Sequence, residues 1–124
     1  MEPLSFLIVD DDIAMLRLMA TLLERRGHKV SMYHRGTSAS AGLLNQDPDC
    51  IITDFHMLGL DGIELTREAR DEGHLDGVKI IMVTSQDDVD ARVQAENAGV
   101  DAFIAKPIDV ASFAKLVEQI VAEI

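Results

Sequence analysis

Five polar residues stand directly after short apolar segments of this chain. They are Asp10, Asp11, Asp54, Thr84 and Lys106. Carboxylate oxygens are ligands that a hard divalent cation prefers, and Mg²⁺ commonly binds one or two of them together with water and phosphate oxygens. A lysine ammonium and a threonine hydroxyl can both donate hydrogen bonds to phosphate oxygens. These residue types therefore suit a magnesium ion and a phosphoryl group.

The apolar segments themselves predict a parallel sheet, because they are short, rich in β-branched residues and do not alternate with polar residues. The five predicted strands are Phe6–Val9, Val30–Tyr33, Cys50–Ile52, Ile80–Val83 and Ala102–Ala105. Segments of helical period follow each strand, so we expect one doubly wound α/β domain over residues 1–124, with helices on both faces. In such sheets reactive groups collect at the carboxyl ends of the strands.

Local signals predict where several helices begin and end. Asp61 is a predicted N-cap with Glu64 as its capping-box partner, and this helix is expected to reach Glu72. Asp87-Asp88 are expected to begin the fourth helix, and Gly99 to end it. The last helix carries one apolar stripe, formed by Phe113, Leu116, Val117, Ile120, Val121 and Ile124.

Composition narrows the possible functions of the 124-residue chain. No apolar stretch of 18 residues is present, so no membrane span is predicted, and the first residues carry no basic segment of a secretory signal. The single cysteine, Cys50, fits a buried position in a reducing compartment. A formal net charge of −11 disfavours direct binding to nucleic acid. We therefore expect a cytoplasmic protein without a membrane or nucleic-acid partner.

The remaining histidines and basic residues have simpler interpretations. His28, His34 and His74 lie in polar, turn-like segments and are expected at the surface. Arg25-Arg26 lie in the last turn of the first helix, where cations interact favourably with the helix dipole.

Asp54 is the best candidate nucleophile among the acids. Three crowded carboxylates repel one another, and Mg²⁺ would relieve that repulsion. Asp10 and Asp11 form a pair suited to the metal, whereas Asp54 stands alone; Asp12 suits either helix capping or metal binding. No glycine loop of the nucleotide-binding kind is present, so no nucleoside triphosphate site is predicted, and Mg²⁺ is the one cofactor expected. Asp54 would then attack phosphorus and become an acyl phosphate, with Mg²⁺ and Lys106 neutralising charge.

These motifs resemble those of the receiver domains of two-component response regulators. The matching residues, in chain order, are Val9-Asp10-Asp11, Asp54, Asp61-Gly62, Thr84 and Lys106-Pro107. The resemblance covers nearly the whole chain and implies a flavodoxin-like fold, a five-stranded parallel sheet in the order 2-1-3-4-5. It implies a signalling phosphoacceptor, not a turnover enzyme, that receives its phosphoryl group from a histidine kinase or a histidine phosphotransfer protein and acts on an output domain or downstream protein.

The resemblance also assigns the magnesium ligands. It implies that Asp11 and Asp54 bind Mg²⁺ directly, that Asp10 binds mainly through water, and that the backbone carbonyl of His56 completes the protein ligands. The His56 side chain, two residues after Asp54, is expected to alter the lifetime of the phosphorylated state.

A conformational switch and a docking face are implied as well. Thr84 would move toward the phosphoryl oxygens, and Phe103 would turn inward into the space it leaves. The Lys106-Pro107 peptide would be cis. The phosphodonor would dock on Ile13, Met15 and Leu16 together with Pro107-Ile108, and the protein is expected to be a monomer or a weak dimer. Leu58 replaces a proline that many receivers have, which predicts a less stiff loop.

Two alternatives remain open at this point. The first is an aspartate phosphatase of the haloacid-dehalogenase type, with Asp10 and Asp12 as its catalytic pair, although no adjacent acidic pair follows Lys106. The second is a pseudo-receiver, a binding module that never takes phosphate, against which the intact acids and Lys106 argue.

Overall fold

The computed structural model describes residues 2–85 and 89–123, and the predicted alternation of strand and helix is confirmed. The strands are β1 (Ser5–Val9), β2 (Lys29–Tyr33), β3 (Cys50–Thr53), β4 (Lys79–Thr84) and β5 (Ala102–Ala105). The helices are α1 (Ile13–Glu24), α2 (Gly36–Leu43), α3 (Gly62–Asp71), α4 (Val89–Ala98) and α5 (Phe113–Ala122), with a short 3₁₀ turn over Gly73–Leu75. No helix in these two ranges is long and apolar enough to cross a membrane.

All five strands are parallel and lie in the order β2-β1-β3-β4-β5, as the resemblance implied. The register aligns the strand ends: Val9 pairs with Tyr33 on one side and with Thr53 on the other. Thr84, the last residue of β4, pairs with Ala105, the last residue of β5. The residues that follow β1, β3 and β5 therefore meet at one edge.

The sheet is buried on both faces, which explains its unalternating apolar sequence. Even-numbered residues of β1, such as Phe6 and Ile8, pack with α1 and α5 in one core cluster. Odd-numbered ones, such as Leu7 and Val9, pack with α2, α3 and α4 in the other. Cys50 is fully buried as expected, and burial raises the pKa of its thiol.

The helix ends follow local capping chemistry. The capping box of α3 is confirmed: the Asp61 carboxylate accepts from the Glu64 amide at 2.8 Å, and Glu64 accepts from the Asp61 amide at 3.3 Å. The left-handed Gly99, with φ of 118°, follows the last residue of α4 as predicted. The expected start of this helix at Asp87-Asp88 and the Ile124 end of the α5 stripe lie outside the described residues.

His28 is buried, so its predicted surface position is wrong. Its Nε2 lies 2.6 Å from Glu118, which also accepts two hydrogen bonds of 2.7 Å from Arg26. The Arg26 guanidinium is the main cause that lowers the pKa of the buried Glu118 to about 2. The partners are 90 or more positions apart, so inspection of local patterns could not find them. His34 and His74 are exposed, as predicted.

Candidate functional site

Three carboxylates meet at the carboxyl edge of the sheet. Asp10 and Asp11 follow β1 and Asp54 follows β3, and one oxygen from each lies within 4.8 Å of the others. Asp10 is fully buried, Asp54 is half-buried and Asp11 is exposed. The predicted meeting of these acids is therefore observed, and an all-oxygen set at this spacing fits a hard divalent cation.

Backbone amides hold the two inner carboxylates in place. The Asp12 amide donates to Oδ1 of Asp10 at 2.9 Å, and the Phe55 amide donates to Oδ1 of Asp54 at 2.8 Å. Each donor comes from the loop that directly follows the strand. The chain therefore orients these side chains where the strands end, and one edge of the group remains open to solvent through Asp11.

Lys106 supplies the cation of this site. Its Nζ lies 3.0 Å from Oδ2 of Asp10 and 3.4 Å from Oδ2 of Asp54. Burial alone would lower the pKa of Lys106, but the hydrogen bond to Asp10 and the charges of both carboxylates outweigh it and raise this pKa. The Lys106-Pro107 peptide is cis, as the resemblance implied.

Asp54 differs from its neighbours because it is only half-buried and is reachable from solvent. Burial and, next, the charge of Asp10 raise its pKa, whereas Lys106 and the Phe55 amide act in the opposite direction. Three carboxylates face one ammonium here, so a divalent cation would neutralise the excess negative charge. With that charge balanced, the Asp54 carboxylate could attack an electrophilic phosphorus atom.

Asp12 is a helix cap in this structure. Its Oδ1 accepts from the Met15 amide at 3.2 Å, which caps the start of α1, and it is not among the three clustered acids. Of the two interpretations left open by the sequence, helix capping is the one that the geometry favours.

Gly62 and His56 flank Asp54 from the loop and helix that follow it. The Gly62 amide donates to the Phe55 carbonyl at 3.0 Å, and a Cβ at position 62 would overlap the Asp54 carbonyl. The His56 side chain is exposed and contacts the Phe55 ring edge-on, with centroids 4.5 Å apart. The sequence identified Gly62 only as a motif residue, and the close backbone approach is the physical reason for it.

The docking face that the structure offers is smaller than the predicted one. Leu16 and Ile108 are buried in the core, so their assignment to an exposed surface is wrong. Ile13 and Pro107 are exposed and Met15 is partly exposed. The helical period of α1 turns Leu16 inward, and Ile108 packs into the core from the loop after β5. Ile13, Met15 and Pro107 remain as the accessible part of the predicted face.

Thr84 and Phe103 line one cleft of about 360 Å³ between β4, α4 and β5. Thr84 is buried at the end of β4, whereas Phe103 is half-buried on β5. The guanidinium carbon of Arg92, on α4, lies 4.6 Å from the centroid of the Phe103 ring. Nothing in the local sequence pattern around Arg92 shows which strand side chain it covers.

Comparisons with known proteins give one consistent family. The family model described as "Response regulator receiver domain" matches residues 6–118. Response regulator MprA of Mycobacterium sp. (strain KMS) is 34% identical over 105 residues, which are 85% of this chain and 45% of that protein. Response regulator MprA of Mycobacterium bovis (strain BCG / Pasteur 1173P2) is 35% identical over 101 residues, or 82% of this chain and 43% of that protein. The chain thus spans about half the length of the curated relatives it matches.

Solved structures give the same fold. A CheY-like response regulator receiver domain protein from Methanospirillum hungatei JF-1 has a TM-score of 0.88 at 29% identity, covering 97% of this chain and 94% of that one. The receiver domain of the sensor histidine kinase PA1611 from Pseudomonas aeruginosa PAO1, solved with a magnesium ion in its active site cleft, has a TM-score of 0.87. It is 24% identical to this chain, and the match covers 98% of this chain and 100% of that one.

Proposed function

Because the chain belongs to the response regulator receiver domain family, we propose that it accepts a phosphoryl group on Asp54 from a phosphohistidine of a partner protein. The observation that carries the proposal is the position of Asp54. Its carboxylate is half-buried, lies 3.4 Å from the Lys106 ammonium and shares a 4.8 Å cluster with Asp10 and Asp11. A carboxylate that could act as the nucleophile therefore lies beside a cation and beside oxygens that suit a metal.

The metal in this proposal is Mg²⁺. Asp11 and Asp54 would bind it directly, Asp10 mainly through water, and the backbone carbonyl of His56 would complete the protein ligands. The oxygen-only cluster supports a hard ion at this place. When bound, Mg²⁺ supplies positive charge that balances the carboxylates and the phosphoryl oxygens.

The reaction is an in-line transfer of the phosphoryl group. An oxygen of the Asp54 carboxylate forms a bond to phosphorus while the bond from phosphorus to the donor imidazole nitrogen breaks, and the electron pair of that bond stays on the nitrogen. Lys106 would donate a hydrogen bond to a phosphoryl oxygen and compensate the charge on it. Attack of water on phosphorus later returns the Asp54 carboxylate and releases inorganic phosphate.

The donor would reach Asp54 across an apolar rim. Ile13, two residues after Asp11, is 52% exposed, and Leu58, which lines a small pocket together with Asp11, is 81% exposed. Exposed apolar side chains next to a charged pocket are typical of a surface that binds another protein. A histidine kinase or a histidine phosphotransfer protein is the partner that fits the proposed chemistry.

The response to phosphorylation would pass through Thr84 and Phe103. A phosphorylated aspartate carries about 1.5 to 2 negative charges and strong acceptor oxygens, by analogy with other phosphorylated side chains. The Thr84 hydroxyl would move toward these oxygens, and the Phe103 ring would turn into the shared cleft. An output domain or downstream protein would read the change in this surface.

The phosphatase alternative lacks support at its metal position. Asp109, the first acid after Lys106, accepts hydrogen bonds from the Ala111 amide and the Ser112 hydroxyl just before α5. Asp109 is thus engaged locally, and no second acid stands next to it in the sequence. The adjacent acidic pair that the phosphatase alternative requires is missing after Lys106.

The proposal is tested by incubating the native chain with acetyl phosphate and Mg²⁺ and measuring its intact mass. We expect one added phosphate on the native chain and on Asp71→Asn, a control at an exposed carboxylate of α3, and none on Asp54→Asn. A native chain that remains unlabelled would support the pseudo-receiver. Continuous release of phosphate from a small phosphoester, at a rate that Asp54→Asn does not change, would support the phosphatase instead.

A further inference from the structure

We infer that Arg92 is a positioning residue: its guanidinium holds the Phe103 ring in the resting conformation and so lowers the readiness of the site to take a phosphoryl group. This inference rests on the proposed function, because it concerns the regulation of the same site through Thr84 and Phe103.

The contact is a cation–π interaction between α4 and β5. The Arg92 guanidinium carbon lies 4.6 Å from the Phe103 centroid, inside the distance of about 6 Å at which such pairs attract. In the part of the chain that the structure describes, no carboxylate lies within ion-pair distance of Arg92. Phe103 has no hydroxyl to anchor it with a hydrogen bond. Among the described residues, the Arg92 guanidinium is the polar group that contacts this ring.

Turning the ring inward would draw the exposed Arg92 side chain away from solvent. Phe103, Thr84, Lys106 and Arg92 all line the same cleft of about 360 Å³, and Arg92 is exposed there. If the ring turned inward beside Thr84, Arg92 would have to follow it into a partly buried site to keep the contact. Burying a guanidinium without a carboxylate partner is costly. Arg92 therefore stabilises the resting conformation more than the inward one.

This difference affects phosphorylation through the populations of the two conformations. A ligand that prefers the inward state binds in proportion to the fraction of molecules already in that state. Exposed cation–π pairs are weak, so removing one should raise the inward fraction, and with it the affinity, by about two- to fivefold. The same change should appear in the resting ring before any ligand is added.

The test uses beryllofluoride with Mg²⁺, a phosphoryl analogue, titrated against the whole chain by calorimetry. We expect Arg92→Gln to bind about two- to fivefold more tightly than the native chain and Arg92→Lys, which keeps the cation, to bind nearly like it. Arg67→Gln removes the same charge from an exposed position on α3 and should leave the affinity unchanged. In a Phe103→Leu background, Arg92→Gln should have no further effect.

A second measurement follows the ring itself by ¹⁹F NMR of protein labelled with 4-fluorophenylalanine. The Phe103 signal, assigned by its loss in Phe103→Leu, should shift toward its ligand-bound position in ligand-free Arg92→Gln. Equal affinities of Arg92→Gln and the native chain, or an equal gain with and without Phe103, would overturn the inference while leaving the proposed function intact. If the native chain itself bound no beryllofluoride and took no phosphate, the proposed function would fail first.

Discussion

Gly62 lies against the backbone carbonyl of Asp54, so close that any Cβ at position 62 would overlap the carbonyl oxygen. The Gly62 amide also donates to the neighbouring Phe55 carbonyl at 3.0 Å. Glycine therefore lets α3 begin directly behind the proposed phosphoacceptor. The position of the Asp54 side chain depends on a residue that has no side chain of its own.

Gly62→Ala is expected to displace the Asp54 backbone. Since the obstacle is main chain rather than a flexible side chain, we expect a loss of about 1 to 3 kcal/mol in the free energy of unfolding. Phosphorylation by acetyl phosphate should slow at least about tenfold, because small displacements of reacting groups are costly. Gly73→Ala is the matched control, since a Cβ there meets no atom within 4 Å. Equal urea unfolding curves and rates for the two variants would contradict the close-approach argument.

Lys106→Met is expected to separate metal binding from phosphoryl transfer. Losing the ammonium 3.0 Å from Asp10 should tighten Mg²⁺ binding, because one competing positive charge is gone. Phosphorylation should fall about 100-fold or more, since the proposed donor to a phosphoryl oxygen is lost. Mg²⁺ titration by calorimetry and intact-mass time courses measure the two effects. Lys115→Met, an exposed lysine of α5, should change neither, and a weaker Mg²⁺ affinity in Lys106→Met would be evidence against this charge balance.

Asp11 and Asp12 are adjacent but should respond differently to replacement by alanine. Asp11→Ala should weaken Mg²⁺ binding at least about tenfold and stabilise the metal-free fold, since it removes one clustered charge. Asp12→Ala should lower the free energy of unfolding by about 1 kcal/mol through loss of the α1 cap, with little change in Mg²⁺ affinity. The rise in Tm on adding Mg²⁺ reports the first effect, and urea unfolding without metal the second. A large loss of Mg²⁺ affinity in Asp12→Ala would restore its interpretation as a ligand.

Glu118→Gln should destabilise the fold in a pH-dependent way. The folded-state pKa of Glu118 is lowered to about 2 from the ordinary 4.5, so its stabilising effect is complete above 4.5 and is lost as pH falls through about 2. We expect Glu118→Gln to lose about 2 kcal/mol at pH 7, as charge-assisted hydrogen bonds from Arg26 weaken. The gap to the native chain should narrow between pH 4.5 and pH 3 in urea unfolding experiments.

Glu96→Gln, at an exposed position on α4, serves as the control for this pH effect. It should show neither the loss at neutral pH nor the narrowing. A gap between Glu118→Gln and the native chain that stayed constant down to pH 3 would exclude Glu118 as the titrating group.

The sequence predicted that the candidate site residues meet, because topology fixes where they lie. Asp54 and Lys106 each follow an apolar strand, and parallel strands end at one edge, so their meeting needs no knowledge of side-chain packing. The same reasoning located Asp10, but it could not show that this carboxylate is fully buried beneath the lysine.

Contacts between side chains that are distant in the sequence could not be predicted from local patterns. The contact of Arg92 with Phe103 joins α4 to β5, and no local sequence pattern shows that these two side chains meet. Leu16 and Ile108 belong to the core. Each lies beside exposed residues in the sequence, which is why the sequence pattern places them on the docking face. His28 stands in a turn-like segment, so its sequence predicts a surface position. Its partner Glu118 lies 90 positions away on the last helix, and no local pattern shows that contact.

The buried imidazole of His28 exists as a single tautomer. The Leu4 amide donates to its Nδ1 at 2.9 Å, so the ring proton must sit on Nε2, where it points at the Glu118 carboxylate 2.6 Å away. Arg26 directs its donors to the same carboxylate. Every hydrogen bond of this group therefore runs in one direction, toward α5. The Glu118 carboxylate thus fixes the residue before β1 and the residues after α1. This anion lies at the amino-terminal edge of the sheet, opposite the acidic pocket.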